Sequence, residues 1–367
     1  MSLTAGIVGL PNVGKSTLFN AITKSQVEAA NYPFATIQPN VGVVEVPDKR
    51  LDNLSEIFNP KRTIYTTFEF TDIAGLVKGA SKGEGLGNQF LGNIKGVDAI
   101  CHVVRCFENG DITHVEGSVD PIRDIETINI ELALADLAVV ENRIGKIEKK
   151  AMATKDKDAL WEVSILKKLQ AALIEGTPAR LVELSKEELD YLRSFQLLTL
   201  KPVIYIANIS DDEIADPHTN PHFSKVEALA AKENCQVVPI CADIEEQLSG
   251  LDKEEKDAFL QDLGIGESGL DQVIKSAYTL LNLRTFFTVG EDECRAWTFH
   301  QGMAAPQCAG VIHSDFEKGF IRAETFSYDD FMQYKSEVAL KEAGKLRLEG
   351  KDYIVNDGDI LHFRFNV

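Results

Sequence analysis

The feature that most constrains this chain is a glycine-containing segment near its start, Gly9-Leu-Pro-Asn-Val-Gly-Lys-Ser-Thr17. Two glycines separated by four residues and followed by Lys and Ser form the pattern of a phosphate-binding loop, or P-loop, whose backbone N–H groups surround phosphate oxygens. The apolar run 5–8 predicts a buried strand before the loop. A helix predicted over about 15–23 would point its N-terminus at an anion. The sequence therefore predicts an α/β domain that binds a nucleoside triphosphate.

The side chains of the loop predict its chemistry. Lys15 would reach the outer phosphates, and the Ser16 hydroxyl would ligate Mg²⁺. Asn12 has two interpretations: its carbonyl would bind a monovalent cation such as K⁺, or it is a turn residue that tolerates left-handed geometry, which we favour. The predicted nucleotide-binding residues of the loop are Asn12, Val13, Gly14, Lys15, Ser16 and Thr17.

Two later segments predict the rest of the metal site. Thr36 lies where a P-loop switch protein carries a Thr that closes over the γ-phosphate and completes the Mg²⁺ shell. Asp72 ends the predicted strand 65–72 and would anchor Mg²⁺ through a water, and the N–H of Gly75 would sense the γ-phosphate. We therefore predict Mg²⁺ as the cofactor, held by Ser16, Thr36 and Asp72.

Composition disfavours several classes of protein. A net charge of −19 argues against broad nonspecific nucleic-acid binding, although it leaves room for a local basic patch. No apolar run approaches the roughly 20 residues of a membrane span, and no basic region precedes the first apolar strand, so we expect a cytoplasmic protein with no membrane partner. The six cysteines form no Cys-x-x-Cys pair, which favours buried reduced thiols over a redox or metal role.

These motifs carry a resemblance to a known family. The segments Asn31-Tyr-Pro-Phe-Ala-Thr36, Asp72-Ile-Ala-Gly-Leu-Val-Lys-Gly-Ala80 and Gly83-Glu-Gly-Leu-Gly-Asn88 resemble the Obg-type NTPases and, within them, the YchF family, described as ribosome-binding ATPases. The resemblance covers essentially the whole chain. It implies a translation-associated regulatory factor that binds the ribosome, at the large (50S) subunit and its RNA.

One position changes the expected mechanism. Many GTPases carry a Gln after the Asp-x-x-Gly motif to orient the attacking water, but here that residue is Leu76, which cannot hydrogen-bond a water. His114, in the loop after the predicted strand 99–104, is the candidate replacement, and the resemblance also places a catalytic histidine in this loop. The alternative is a solvated loop residue without a role. The predicted catalytic residues are His114, Lys15 and Gly75.

Helical periodicity follows this loop. Apolar residues recur at spacings of three and four over about 125–148 and 157–174, which predicts two long antiparallel helices inserted into the nucleotide domain. A basic cluster near their predicted tip would contact ribosomal RNA or form an ordinary solvated face: Arg143, Lys146, Lys149, Lys150, Lys155 and Lys157.

Two strand ends predict the base pocket. Asn208-Ile-Ser-Asp211 occupies the place of the guanine-specific Asn-Lys-x-Asp motif, with Ile209 at the Lys position. The resemblance implies ATP, although the YchF family usually carries Glu where this chain has Asp211, so GTP stays open. Cys241 and Ala242 lie at the place of a Ser-Ala-x motif that contacts the base.

The C-terminal residues predict a separate module. Strands and helices alternate over about 281–366 in an order typical of a β-grasp domain, and Tyr353-Ile-Val-Asn-Asp-Gly-Asp-Ile360 resembles TGS domains, which occur in proteins that act with RNA or ribosomes. The module would bind a partner or serve only as a structural cap. The predicted architecture is an α/β, Ras-like doubly wound P-loop NTPase core over 3–258, an antiparallel helical insertion at about 125–200, and a β-grasp TGS domain over 281–364.

The predicted reaction is Mg²⁺-dependent hydrolysis of the β–γ phosphoanhydride of ATP by a monomer that binds the ribosome. A GTP-specific switch remains an alternative. So does a nucleotide-gated ribosome- or RNA-binding scaffold whose hydrolysis is incidental. A kinase is disfavoured because the sequence shows no acceptor site.

Overall fold

A computed structural model describes residues 3–25, 40–73, 75 and 86–366, and the chain divides into two compact units. Unit 1 comprises Met1–Val44 and Glu69–Val273, and unit 2 comprises Glu45–Phe68 and Ile274–Val367. Thr36, Leu76 and most of the glycine-rich segment after Gly75 lie outside the described residues.

Unit 1 is built on a sheet that is parallel from its second strand to its last, with the P-loop strand inside it. The first seven strands are β1 (Thr4–Val8), β2 (Val41–Glu45), β3 (Arg62–Ile64), β4 (Thr67–Asp72), β5 (Ala99–Arg105), β6 (Val203–Asn208) and β7 (Gln236–Ile240). The sheet order is β2-β4-β1-β5-β6-β7. Strand β1 pairs in parallel with β4 and β5, β5 with β6, and β6 with β7. Since parallel strands end at one edge of the sheet, the P-loop and the ends of β4, β5 and β6 meet there.

In the described part of the chain, ten α-helices lie before residue 281; the second belongs to unit 2, and the others begin in unit 1. In chain order they are α1 (Lys15–Lys24), α2 (Lys49–Phe58), α3 (Leu86–Lys95), α4 (Pro121–Thr154), α5 (Lys157–Ile174), α6 (Lys186–Leu192), α7 (Pro221–Glu233), α8 (Ala242–Leu248), α9 (Lys253–Asp262) and α10 (Gly269–Leu280). Strands β5 and β6 are buried along their whole length, which accounts for their mostly apolar sequences.

The predicted helical arm consists of α4 and α5. Asp120 caps the start of α4. This helix has 34 residues and would span about 50 Å at 1.5 Å per residue. Lys155 ends α4 with a φ of 54°, and Asp156 caps α5, so the chain reverses over two residues. Gln170 of α5 donates to Glu141 of α4 at 3.2 Å, a pairing that matches a reversal at residues 155 and 156, and ion pairs Arg143–Glu162 and Glu148–Lys167 also join the two helices. The antiparallel arm predicted from periodicity is therefore confirmed, and α4 extends beyond both predicted ends.

Unit 2 contains a mixed sheet with helices on both faces. Its further elements are β8 (Leu283–Thr288), β9 (Glu293–His300), α11 (Ala305–Ile312), α12 (Ser314–Lys318), β10 (Phe320–Ser327), α13 (Tyr328–Tyr334), α14 (Glu337–Glu342), β11 (Arg347–Glu349) and β12 (Asp359–Phe365). The order is β11-β10-β12-β8-β9-β3. Neighbouring residues Phe286 and Phe287 belong to different cores, because alternate side chains of a strand point to opposite faces.

Residues 45–68 complete this second sheet. Strand β3 pairs in parallel with β9, and Leu51 and Leu54 of α2 are fully buried in one core of unit 2. Arg50 donates to Asp48 at 2.7 Å and to Asp357 at 2.8 Å, which ties the segment to the loop before β12. The sequence prediction had placed residues 45–68 within the NTPase core, because the long-range pairing of β3 leaves no local pattern.

The structure confirms the predicted fold class, a Ras-like doubly wound core with a helical insertion and a C-terminal β-grasp module. Among the described residues, none of the helices is long and apolar enough to cross a membrane.

Candidate nucleotide site

A cavity of about 840 Å³ lies at the carboxyl edge of the unit 1 sheet. It is lined by residues 10–12, 14–17, 75, 107–109, 112, 208–211, 241–244 and 247. The structure thus brings together the P-loop, Gly75, the predicted base residues and part of the loop after β5. Among the described candidate residues, Val13, Asp72 and His114 are not in this lining.

The P-loop has the backbone geometry that its sequence requires. Gly14 has a φ of 93°, and a Cβ at this position would collide with the Asn208 side-chain amide. Asn12 has a φ of 62°, in the left-handed region that Asn tolerates, as the favoured turn interpretation expects. Its side-chain nitrogen also donates to the Thr113 carbonyl at 3.1 Å, so the P-loop contacts the loop that precedes α4.

Lys15 and Asp72 converge at the start of α1. The Lys15 ammonium lies 3.3 Å from an Asp72 carboxylate oxygen, and the Lys15 side chain is only 10% exposed. Ser16 is exposed and lines the adjoining cavity. A hydroxyl and a nearby carboxylate are hard oxygen ligands of the kind Mg²⁺ accepts together with phosphate and water. Ser16 and Asp72 therefore fit the predicted metal ion, while Thr36 lies outside the described residues.

Gly75 lies beside the P-loop. A Cβ built on it would approach the Gly9 carbonyl oxygen at 3.5 Å and Pro11 at 3.6 Å. Its backbone is thus next to the segment predicted to surround the phosphates, at the position that the sequence indicated for sensing the γ-phosphate.

Asn208 connects the two halves of the pocket. Its side-chain nitrogen donates to the Val13 carbonyl at 3.0 Å, and its side-chain oxygen accepts from the Ala242 backbone N–H at 3.0 Å. The residue is 4% exposed. Both ends of the amide are therefore bound to the protein, and Asn208 holds the P-loop against the N-terminus of α8. The sequence had predicted it as a nucleotide-binding residue without indicating this bracing role.

The base end of the pocket combines buried apolar and exposed acidic groups. Ile209 is 1% exposed, and its N–H donates to the Ile240 carbonyl. Asp211 is exposed at the start of a short 3-10 helix. Burial raises the pKa of the Cys241 thiol, so this pocket residue remains a neutral thiol near neutral pH.

Arg105 organises the loop that borders the cavity. Its guanidinium is buried and donates to three backbone carbonyls, those of Phe107, Asn109 and Ile112, at 3.2, 3.1 and 3.0 Å. It also stacks over the Phe107 ring at 4.5 Å. The sequence analysis missed this role. The available signal was a charged residue directly after an apolar strand run, where an Arg must find partners if it is buried.

His114 lies in the same loop but is turned away from the cavity. Its side chain is 4% exposed, and its Nε2 lies 2.8 Å from Asp124 Oδ2 on the first turn of α4. Its Nδ1 accepts the Glu116 backbone N–H at 3.1 Å. Both ring nitrogens are thus engaged within the protein. The role of His114 in orienting water stays a prediction, and Asp124 is a partner that the sequence analysis did not identify.

The comparisons with known proteins agree with this site. Residues 4–163 match the family model described as 50S ribosome-binding GTPase. Residues 283–366 match the model of the YchF GTPase C-terminal family, described as a protein of unknown function. The former contains the P-loop, Asp72 and His114.

Relatives match the chain over its full length. The ribosome-binding ATPase YchF of Bacillus subtilis is 61% identical over 367 residues, covering 100% of both chains. The protein of the same name from Escherichia coli O157:H7 is 58% identical over the same span. The solved structure of the Schizosaccharomyces pombe YchF GTPase superposes with a TM-score of 0.88 at 42% identity, covering 99% of this chain and 98% of that one. The chain therefore belongs to the YchF family of P-loop NTPases.

Proposed function

We propose that this chain is a nucleoside triphosphatase that prefers ATP and binds the ribosome. The observation that carries the proposal is a cavity of about 840 Å³ lined by the P-loop, in which Lys15 pairs with Asp72 at the end of β4. The full-length relatives are named ribosome-binding ATPases, which supports the same activity here.

Mg²⁺ is the proposed cofactor, held by Ser16, by Asp72 through a water, and by Thr36. The ion would neutralise charge on the β- and γ-phosphates. A second cation, K⁺, is proposed at the Asn12 side-chain carbonyl; the alternative is a structural turn residue, to which its left-handed backbone and its contact with Thr113 belong.

The chain's own residues would act mainly by position and charge. Lys15 would hold the outer phosphates, and the Gly75 N–H, beside the P-loop, would hold a γ-phosphate oxygen. The Asn208 brace would keep the P-loop against the base end of the pocket. The remaining requirement is a group that orients water, and His114 is the proposed one. We expect slow intrinsic turnover, because its two ring nitrogens are already engaged.

Base preference is the finer part of the proposal. The buried Ile209 replaces the Lys that packs along guanine in guanine-specific proteins, which favours ATP. Asp211 is exposed and lines the cavity, so its carboxylate is available to a guanine. That observation keeps a GTP-specific switch as the second candidate.

The partner is proposed to be the large ribosomal subunit and its RNA. The basic cluster of the arm supports this, although Arg143 is paired with Glu162 and Lys167 of the facing helix with Glu148. We also propose that the C-terminal module is a TGS domain whose role is to bind a partner and not to catalyse a reaction. The domain boundaries 3–258 and 281–364 and a monomeric state belong to the same proposal.

Equilibrium binding of labelled ATP and GTP with Mg²⁺, repeated with Asp211→Ala, tests the base preference. Tighter ATP binding that the substitution leaves unchanged supports the ATPase. Tighter GTP binding that is lost in the variant means that Asp211 binds guanine.

Hydrolysis is then measured with and without 50S subunits, using Lys15→Ala as the inactive control. Stimulation by the subunit supports the enzyme cycle. Ribosome binding that is independent of nucleotide and does not stimulate hydrolysis would instead identify a scaffold.

A further inference from the structure

We propose that Asp124 is a positioning residue that holds His114 in a resting orientation, and that hydrolysis requires this pair to separate. The proposal rests on the hydrolytic function proposed above. It concerns a residue of α4 that lies outside every motif of the nucleotide site.

The hydrogen bonds fix the state of the imidazole. Because Nδ1 accepts the Glu116 N–H, it carries a lone pair, and the proton of the neutral ring is on Nε2, where it is donated to Asp124. A ring in this arrangement has neither a free acceptor nor a free donor for a water. His114 must therefore leave Asp124 before it can orient a nucleophile in the cavity.

Asp124 keeps a partner when the histidine leaves. Its other carboxylate oxygen, Oδ1, accepts from Arg123 at 3.1 and 3.3 Å. A buried carboxylate without any partner would be costly, but this one retains an ion pair. Separation of His114 from Asp124 therefore leaves the carboxylate paired, and it breaks one charge-assisted hydrogen bond of the ring.

The surrounding loop divides into a fixed and a releasable part. Arg105 binds the carbonyls of residues 107, 109 and 112, which anchors the half of the loop that lines the cavity. The half that contains His114 is held by Asp124 and by the Asn12 contact to Thr113. Since Asn12 belongs to the P-loop, a nucleotide that moves its side chain also acts on the residue next to His114.

The orientation of the ring is measured by NMR on wild-type protein labelled with ¹⁵N-histidine. The chain has seven histidines, and His114→Ala identifies the resonance of residue 114. We expect the shifts of a neutral ring protonated at Nε2, with a slowly exchanging proton that Asp124→Asn makes exchange faster. A rapidly exchanging, solvent-exposed imidazole in wild type would overturn the proposal without reference to activity.

The kinetic test compares Asp124→Asn with Glu126→Gln, a matched carboxylate removal at an exposed position of the same helix. Weakening one charge-assisted hydrogen bond should raise kcat roughly three- to tenfold, because the released population of His114 increases. KM for nucleotide should not change, and Glu126→Gln should behave as wild type. The double variant Asp124→Asn, His114→Ala should lose the gain, since the effect acts through the histidine.

An unchanged or lower kcat in Asp124→Asn, or a gain that persists without His114, contradicts the resting role. This result is distinguishable from failure of the proposed function, in which wild-type protein itself does not hydrolyse ATP or GTP.

Discussion

Removal of the Asn208 side chain should affect both stability and nucleotide binding, because this amide braces two parts of the pocket. In Asn208→Ala, the Val13 carbonyl and the Ala242 N–H each lose a partner at 3.0 Å in a region that is almost fully buried. An unsatisfied buried polar group costs about 1–3 kcal/mol. Two such groups predict a loss of about 2–6 kcal/mol in the free energy of unfolding of unit 1, and access of water to either group would lower this loss.

Native-state hydrogen exchange of the β6 amides measures this loss, because these fully buried amides exchange through the larger openings of the unit. Nucleotide affinity should fall by about tenfold or more, since the bound state requires the same alignment of the P-loop. Asn142→Ala removes an exposed amide from α4 and should change stability by less than about 0.5 kcal/mol. If Asn208→Ala matches Asn142→Ala in exchange and binds nucleotide within about twofold of wild type, the bracing argument is refuted.

Three further predictions test other parts of the chain. Leu54→Ala should destabilise unit 2 by about 2–5 kcal/mol. Urea unfolding followed by Trp297 fluorescence, in a Trp161→Phe background, measures this loss. An unchanged unfolding midpoint would contradict the assignment of residues 45–68 to that core. Burial raises the pKa of Glu245 to about 7. The folded state therefore binds more protons than the unfolded state between about pH 4.5 and 7, and the free energy of unfolding should fall by on the order of 1–3 kcal/mol as pH rises through that window. The part of this slope that Glu245 contributes should be absent in Glu245→Gln, and an identical pH profile would exclude the carboxyl as its source. Arg105→Lys can replace only part of the three-carbonyl contact and should weaken nucleotide binding about three- to thirtyfold by titration, whereas wild-type affinity would show that the loop needs no such anchor.

Local patterns predicted the parts of the fold that depend on local causes. The P-loop sequence predicted β1 and α1, because both follow from the spacing of a few neighbouring residues. Apolar periodicity likewise predicted the helices of the arm, whose buried faces recur every three or four residues.

The sequence could not predict features set by partners that are distant along the chain. Strand β3 has three residues, and only its pairing with β9 shows that it belongs to unit 2. Asp124 appeared as an ordinary acidic residue near the start of a helix, and its contact with His114 depends on the path of the loop between them. Asn208 was recognised from its motif, but its two backbone partners come from different segments.

The pairing of β3 with β9 has a consequence for synthesis of the protein. Arg62 emerges from a translating ribosome more than 200 residues before its partner Glu293. At a synthesis rate of roughly 5–20 residues per second, this separation corresponds to on the order of 10–45 s. During this time the apolar face of α2 has not yet been buried in the core of unit 2. Unit 1 can assemble in the meantime, but the sheet of unit 2 cannot close until the C-terminal strands appear. Fragments that begin after residue 68 would lack an edge strand and two core leucines, so residues 45–68 must be retained in any independently expressed form of unit 2.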